Sequence, residues 1–168
     1  MTAPTPSEAT VAFLRHTLAT LAYRCGKAVR GAPESFGTFR IAPATRTPVQ
    51  ILAHVGDLLE WAVWLLRGEH RWSDSTATPL SWPGEVERFF RLASELDAEI
   101  AASSPADSAW SLEHVFQGPV ADALTHVGQL TLMRRLAGDP VRGENYARAE
   151  IVIGRTGAEQ AAPRREFD

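Results

Sequence analysis

The chain has 168 residues, 45% of them hydrophobic and 22% charged, with a formal net charge of −3. That length suits one domain with a sizeable core, and the charge gives no sign of the clustered basic face that nucleic-acid binding needs. A lone cysteine, Cys25, excludes an intrachain disulfide.

The first helical pattern opens at Thr5-Pro6-Ser7-Glu8, a capping box with proline at the first helical position. Its apolar stripe (Val11, Leu14, Leu18, Leu21, Ala22, Cys25, Val29) runs to about Val29 and stops before Gly31-Ala32-Pro33. Cys25 on that stripe reads as a buried structural thiol, not a nucleophile. The preceding residues lack the basic region and apolar core of a signal peptide, and no uninterrupted apolar run suffices to span a membrane. A cytoplasmic protein is expected. Residues 35–43 have local apolar character without a period.

The second pattern opens with the same chemistry, Thr47-Pro48-Val49-Gln50, and ends near Arg67-Gly68. His54 shares a face with Ile51, Leu58, Trp61 and Leu65, whereas Asp57, Glu60 and Arg67 cluster to one side, where a solvated face is expected. The connection Glu69 to Ser81, with Trp72 and Pro79, is long enough for a crossover along a bundle instead of a tight turn. The third pattern starts at Trp82-Pro83-Gly84-Glu85, carries Val86, Phe89, Phe90, Ala93, Leu96 and Ile100, and ends before Pro105.

The fourth pattern runs from Gly118-Pro119 to Gly138-Asp139-Pro140. At about 100° per residue, Asp122 and His126 lie one turn apart on one side, together with Leu130, Met133, Leu136 and Ala137. Arg134 and Arg135 point the other way. A carboxylate near the middle of a face expected to be buried needs a cation, a strong donor or water.

Four amphipathic helices predict an all-α fold, a four-helix bundle over 1–138 with a long connection between the second and third helices. Residues 139–168 read as an irregular C-terminal extension packed on the bundle and partly disordered towards Ala161-Ala162-Pro163-Arg164-Arg165. Within it, Tyr146 to Ile153 is strand-like without an obvious partner. Asn145, Tyr146, Glu150 and Arg155 read as surface loop residues more readily than as pocket lining.

If the second and fourth helices pack together, His54, Asp122 and His126 make a two-histidine, one-carboxylate metal site with open coordination positions. The other reading makes each a satisfied polar residue of the core, and both stand at this point. Asp57 and Glu60 are candidate outer groups for His54, and Gln129 for a metal-bound water. His114 suits a surface or capping role, and His16 and His70 show no partner. No nucleophile-elbow, phosphate-loop or dinucleotide fingerprint is present.

The segments Leu52-Ala53-His54-Val55, His126-Val127-Gly128-Gln129 and Arg134-Arg135-Leu136-Ala137-Gly138, in this order and spacing, resemble the DinB-like superfamily of metal-dependent four-helix-bundle enzymes. That family's triad has one histidine on the second helix and a His-x-x-x-His pair on the fourth. His54 and His126 match, whereas Asp122 replaces the first histidine of the pair. The resemblance implies a divalent metal held by His54, Asp122 and His126. The aspartate favours Mn²⁺ or Fe²⁺ somewhat, with Zn²⁺ and Ni²⁺ still suited. It also implies a small-molecule substrate and a low-molecular-weight thiol as cosubstrate, as in thiol-dependent transferases and mycothiol-dependent maleylpyruvate isomerase. A transferase, isomerase or hydrolase is the expected class, and no general base is identified. The alternative is a non-catalytic helical bundle serving as a stress-response or binding protein. A homodimer fits either reading.

Overall fold

The computed structural model describes residues 7–102 and 110–167. Four long helical segments carry the fold, which is all-α: α1 (Glu8–Val29), α2 (Pro48–Leu66), α3 (Trp82–Ala102) and a fourth helix built from α4 (Leu112–Val115), a wide π turn (Phe116–Val120) and α5 (Ala121–Leu136). Thr5, Pro6 and Pro105, expected to mark helix ends, lie outside the described residues. Ser7 caps α1 by accepting from the Thr10 amide. At α2 the expected capping box is present: Thr47 accepts from Gln50 N–H, and the Gln50 side chain accepts from Thr47 N–H.

The fourth helix starts six residues earlier than the sequence pattern suggests. Ser111 caps it, and Pro119 sits inside it, where a regular helix would lose a hydrogen bond and meet a clash. The turn widens so that Ala121 N–H reaches back five residues to Phe116 O. Proline is therefore housed rather than terminating.

α1 packs on α3 and α5, and α2 packs on the same two, so α1 and α2 stand diagonally across the bundle. Side-chain pairs fix the directions. Arg88 and Arg67 join the early half of α2 to early α3 and its end to late α3 (Glu95, Glu99), so these neighbours are parallel. Arg15 of early α1 meets Asp97 of late α3, so that pair is antiparallel. Parallel neighbours cannot be joined by a tight turn. Residues 67–81 therefore return along α2 as a crossover strap, as the length of that connection suggests.

The core is a single cluster that includes Leu14, Leu18 and Leu21 from α1, Leu52, Val55 and Leu59 from α2, Phe89 and Leu96 from α3, and Val127 and Leu130 from α5. Cys25 is part of it, and burial pushes its thiol pKa upward. α2 is apolar and long enough to cross a membrane by length and composition, but most of it is buried inside the bundle. Two outward assignments and one inward assignment are corrected. Asp57 is fully buried, because Arg88 supplies its counter-charge at 2.7 Å. Arg134 is also buried. Its guanidinium donates to Ala28 O and Arg30 O at the end of α1 and to Asp139 O, satisfying helix-terminal carbonyls. Leu136, expected inside, is exposed because the bundle has ended there.

The extension folds back on α1. Strand β1 (Gly143–Glu144) pairs antiparallel with β2 (Glu166–Phe167), so the segment 161–167 is placed and the strand lies before Tyr146 instead of after it. Glu144 anchors this return: buried, it accepts from Tyr23 Oη and Lys27 Nζ, each at 2.8 Å. Asn145 caps a short 3-10 turn (Tyr146–Arg148), and Glu150 pairs with Arg155.

Two expectations follow. A Cβ at Gly56 would lie 2.6 Å from Nη1 of Arg88. Alanine normally gains about 1 kcal/mol over glycine in a helix, but here it displaces a guanidinium bonded to Ala53 O, Asp57 and Glu60. Gly56→Ala should therefore destabilise by about 1–3 kcal/mol, read as a lower denaturation midpoint; a higher midpoint would refute the clash. For Glu144, burial pushes the carboxyl pKa up, yet the bonds from Lys27, Tyr23 and Arg164 N–H outweigh it and hold it below its ordinary value of 4.5. Its contribution is then present above about 4.5 and lost as pH falls through the depressed native value. Glu144→Gln should cost about 1–3 kcal/mol at neutral pH and flatten the acid limb of a stability–pH curve. An unchanged acid limb would count against it.

Candidate metal centre

α2 and α5 run antiparallel, with His54 opposite Asp122 and His126 and, further along α2, Trp61 opposite Gly118. The three side chains expected to form a site are thus brought together. One donor atom from each falls within 4.8 Å of the others, making this a group that could hold a metal ion. His54 Nε2 lies 3.6 Å from Asp122 Oδ2, and the two imidazole rings are 4.8 Å apart. Ligand atoms sharing one ion at about 2.0–2.2 Å sit roughly 3.0–3.5 Å from each other; the His54–Asp122 pair is already near that at 3.6 Å, and the widest pair would have to draw in from up to 4.8 Å.

The donor chemistry also fits. His126 Nδ1 lies 2.9 Å from the backbone O of Asp122 one turn earlier. A proton on Nδ1 would be donated there, leaving the Nε2 lone pair free for a metal; this carbonyl support is a common orienting device for metal-bound histidine. Thr125 Oγ1 donates to the same carbonyl and lies 3.4 Å from Asp122 Oδ1. The Asp122 side chain is 46% exposed, whereas the two histidines are mostly buried. The carboxylate expected at the centre of a buried face therefore stands at the solvent edge of the group. Burial, helped by His126 and Arg46, lowers the His54 pKa below 6.5 against the opposing pull of Asp122. His54 is neutral at pH 7, the form a metal requires.

Asp57 holds the surroundings in place. Its two oxygens accept from Ser75 N–H at 2.8 Å and Ser75 Oγ at 2.7 Å, as well as from Arg88. Gln50 Nε2 donates to Thr76 O, and Leu80 N–H donates to buried Glu85, so the strap is fixed to α2 and α3 at three points. This latch lays Trp72 edge-on against His54, ring centroids 5.8 Å apart. Arg88 also donates to the carbonyl of Ala53, next to His54, and to Glu60.

Gln129 is exposed on α5. His114 Nδ1 lies 3.0 Å from Ser111 Oγ at the helix start, a capping position. His70 does have partners, the rings of Trp61 and Trp110. The sequence reading missed Trp72, Arg88 and Ser75 because nothing in a linear pattern says where a crossover strap will lie.

No model of a known protein family, no curated protein and no solved structure matches the chain. The functional reading therefore rests on the geometry of the site.

A proton titration checks this electrostatic picture. In metal-free protein the His54 imidazole, followed by NMR and assigned with His54→Asn, should reach half-protonation below 6.5. Proton competition from His54 would then weaken metal binding only below that pH. A midpoint at or above 6.5 would contradict the burial of this ring.

Proposed function

We propose that this chain is a metal-dependent enzyme of the DinB-like type, in which His54, Asp122 and His126 hold a divalent ion. The observation that carries the reading is the convergence of these three donors across the α2–α5 seam, within 4.8 Å of one another. Two imidazoles and one carboxylate leave coordination positions for a substrate, and a bound divalent ion would lower the pKa of a water or thiol there. Zn²⁺, Ni²⁺, Mn²⁺ and Fe²⁺ all suit this donor set. The proposed chemistry is transfer or isomerisation of a small molecule with a low-molecular-weight thiol as cosubstrate, in the cytoplasm.

The protein's own residues would bind and orient. His126 is oriented through Asp122 O, and His54 is held by a helix whose neighbouring carbonyl is tied to Arg88. A second reading, a non-catalytic dimeric bundle, draws on a different surface. Phe13 and Phe116 are both exposed and meet edge to face, an apolar spot at which a second copy would bury area. Dimerisation is compatible with either role.

Calorimetric titration of chelator-stripped protein with Zn²⁺ and Mn²⁺ tests the metal reading. His126→Ala should weaken binding at least ten-fold, and His114→Ala and His16→Ala should leave it near wild type. Asp122→Asn keeps the shape but loses the charge, so it should weaken affinity as well. Asp122→His should still bind, with preference moved towards Zn²⁺ or Ni²⁺. Equal affinity of wild type and His126→Ala would reject the site and leave the non-catalytic reading.

A further inference from the structure

Beyond the three donors, aromatic rings continue outward without a break. Trp72 lies 5.8 Å from His54 and 5.8 Å from Trp61. Trp61 lies 5.8 Å from His70, His70 lies 6.4 Å from Trp110, and Trp110 lies 5.8 Å from His114. Three of the five tryptophans of the chain are gathered on this one side of the metal group. Trp61 packs partly against the core, whereas Trp72 on the strap is 48% exposed. Leaving so much aromatic surface in water forgoes burial energy, yet the strap that carries Trp72 is latched in place by Asp57, Gln50 and Glu85. A large, rigid ring is thus held at the mouth of the site.

Two further observations narrow what such a wall receives. The indole N–H of Trp61 is buried and has no acceptor among the described residues; an unsatisfied buried donor is costly and is relieved by an acceptor on a ligand. The charge at the mouth is positive once an ion is bound: Asp122 and Asp74, whose charge acts on both His54 and Arg46, together offset a divalent ion, and Arg46, whose field also reaches His54, remains in excess.

We infer that the Trp72–Trp61 wall is the substrate-recognition surface of the metal group, and that it takes a small planar aromatic molecule bearing an anionic oxygen or sulfur donor. The ring of the ligand lies against Trp72, its donor faces the open coordination positions, and a second acceptor meets the Trp61 N–H. The strap is therefore a specificity element, not a passive connection. This inference rests on the metal reading proposed above.

The test compares benzoate with cyclohexanecarboxylate on Zn²⁺-loaded protein. The two share charge and approximate size and differ in the π face. Binding is followed through the tryptophan indole N–H resonances, assigned with single Trp→Phe variants, and zinc uptake is measured first. Benzoate should bind about three- to ten-fold more tightly, the range expected for one aromatic pair, and should shift the Trp72 and Trp61 signals. Trp72→Leu should abolish that preference and Trp72→Phe should restore most of it. Zinc uptake with equal affinity for the two carboxylates, or a preference that survives Trp72→Leu, would overturn the aromatic assignment alone. Failure to take up zinc would overturn the metal reading and this inference together.

Discussion

The parallel alignment of α2 and α3 is the constraint from which the site follows. Two helices running side by side in one direction cannot be joined at one end, so residues 67–81 must travel back along α2. The largely buried guanidinium of Arg88 sets the register of that alignment, bonding Ala53 O, Asp57 and Glu60 on one helix and Glu85 on its own. Gly56 makes the approach possible by presenting no side chain. Asp57 shares its oxygens between this cation and Ser75. One buried ion pair thereby positions both the helix that carries His54 and the strap that carries Trp72. Removing either partner of such a pair typically costs about 3–5 kcal/mol, since the other charge is left buried.

The opposite wall depends on different physics. Pro119 would break a regular helix, but the wide turn around it lets the fourth helix run on through Asp122 and His126. π turns are frequent at functional sites. Here the turn also places Gly118 against Trp61, joining the distortion to the aromatic wall. Arg134 at the far end of α5 satisfies the last carbonyls of α1, which ties the helix bearing two of the donors to its parallel neighbour.

The four helices were legible because their caps and apolar periods are strong local signals: Thr47 with Gln50, Trp82 with Pro83, and the Leu14–Leu18–Leu21 stripe all agree with the structure. The three donors were legible for the same reason, since a polar residue on an apolar face has to be explained. The failures were long-range. Periodicity puts Arg134 and Asp57 outside, because it cannot know that a neighbouring helix ends beside one or that a cation lies beside the other. Glu144 gave no sign of its burial, which depends on Tyr23 and Lys27 more than a hundred positions away. A proline is ordinarily a helix start, so residues 112–117, ahead of Gly118-Pro119, read as lying outside the helix.

The proposed site puts one metal ion between α2 and α5, held by His54, Asp122 and His126. Anomalous diffraction from crystals of untagged protein grown with Zn²⁺, collected on both sides of the zinc absorption edge, tests it most directly. One strong peak is expected at roughly 2.0–2.2 Å from a nitrogen of each histidine and an oxygen of Asp122. A fully occupied zinc peak elsewhere, with these three side chains unliganded, would contradict it.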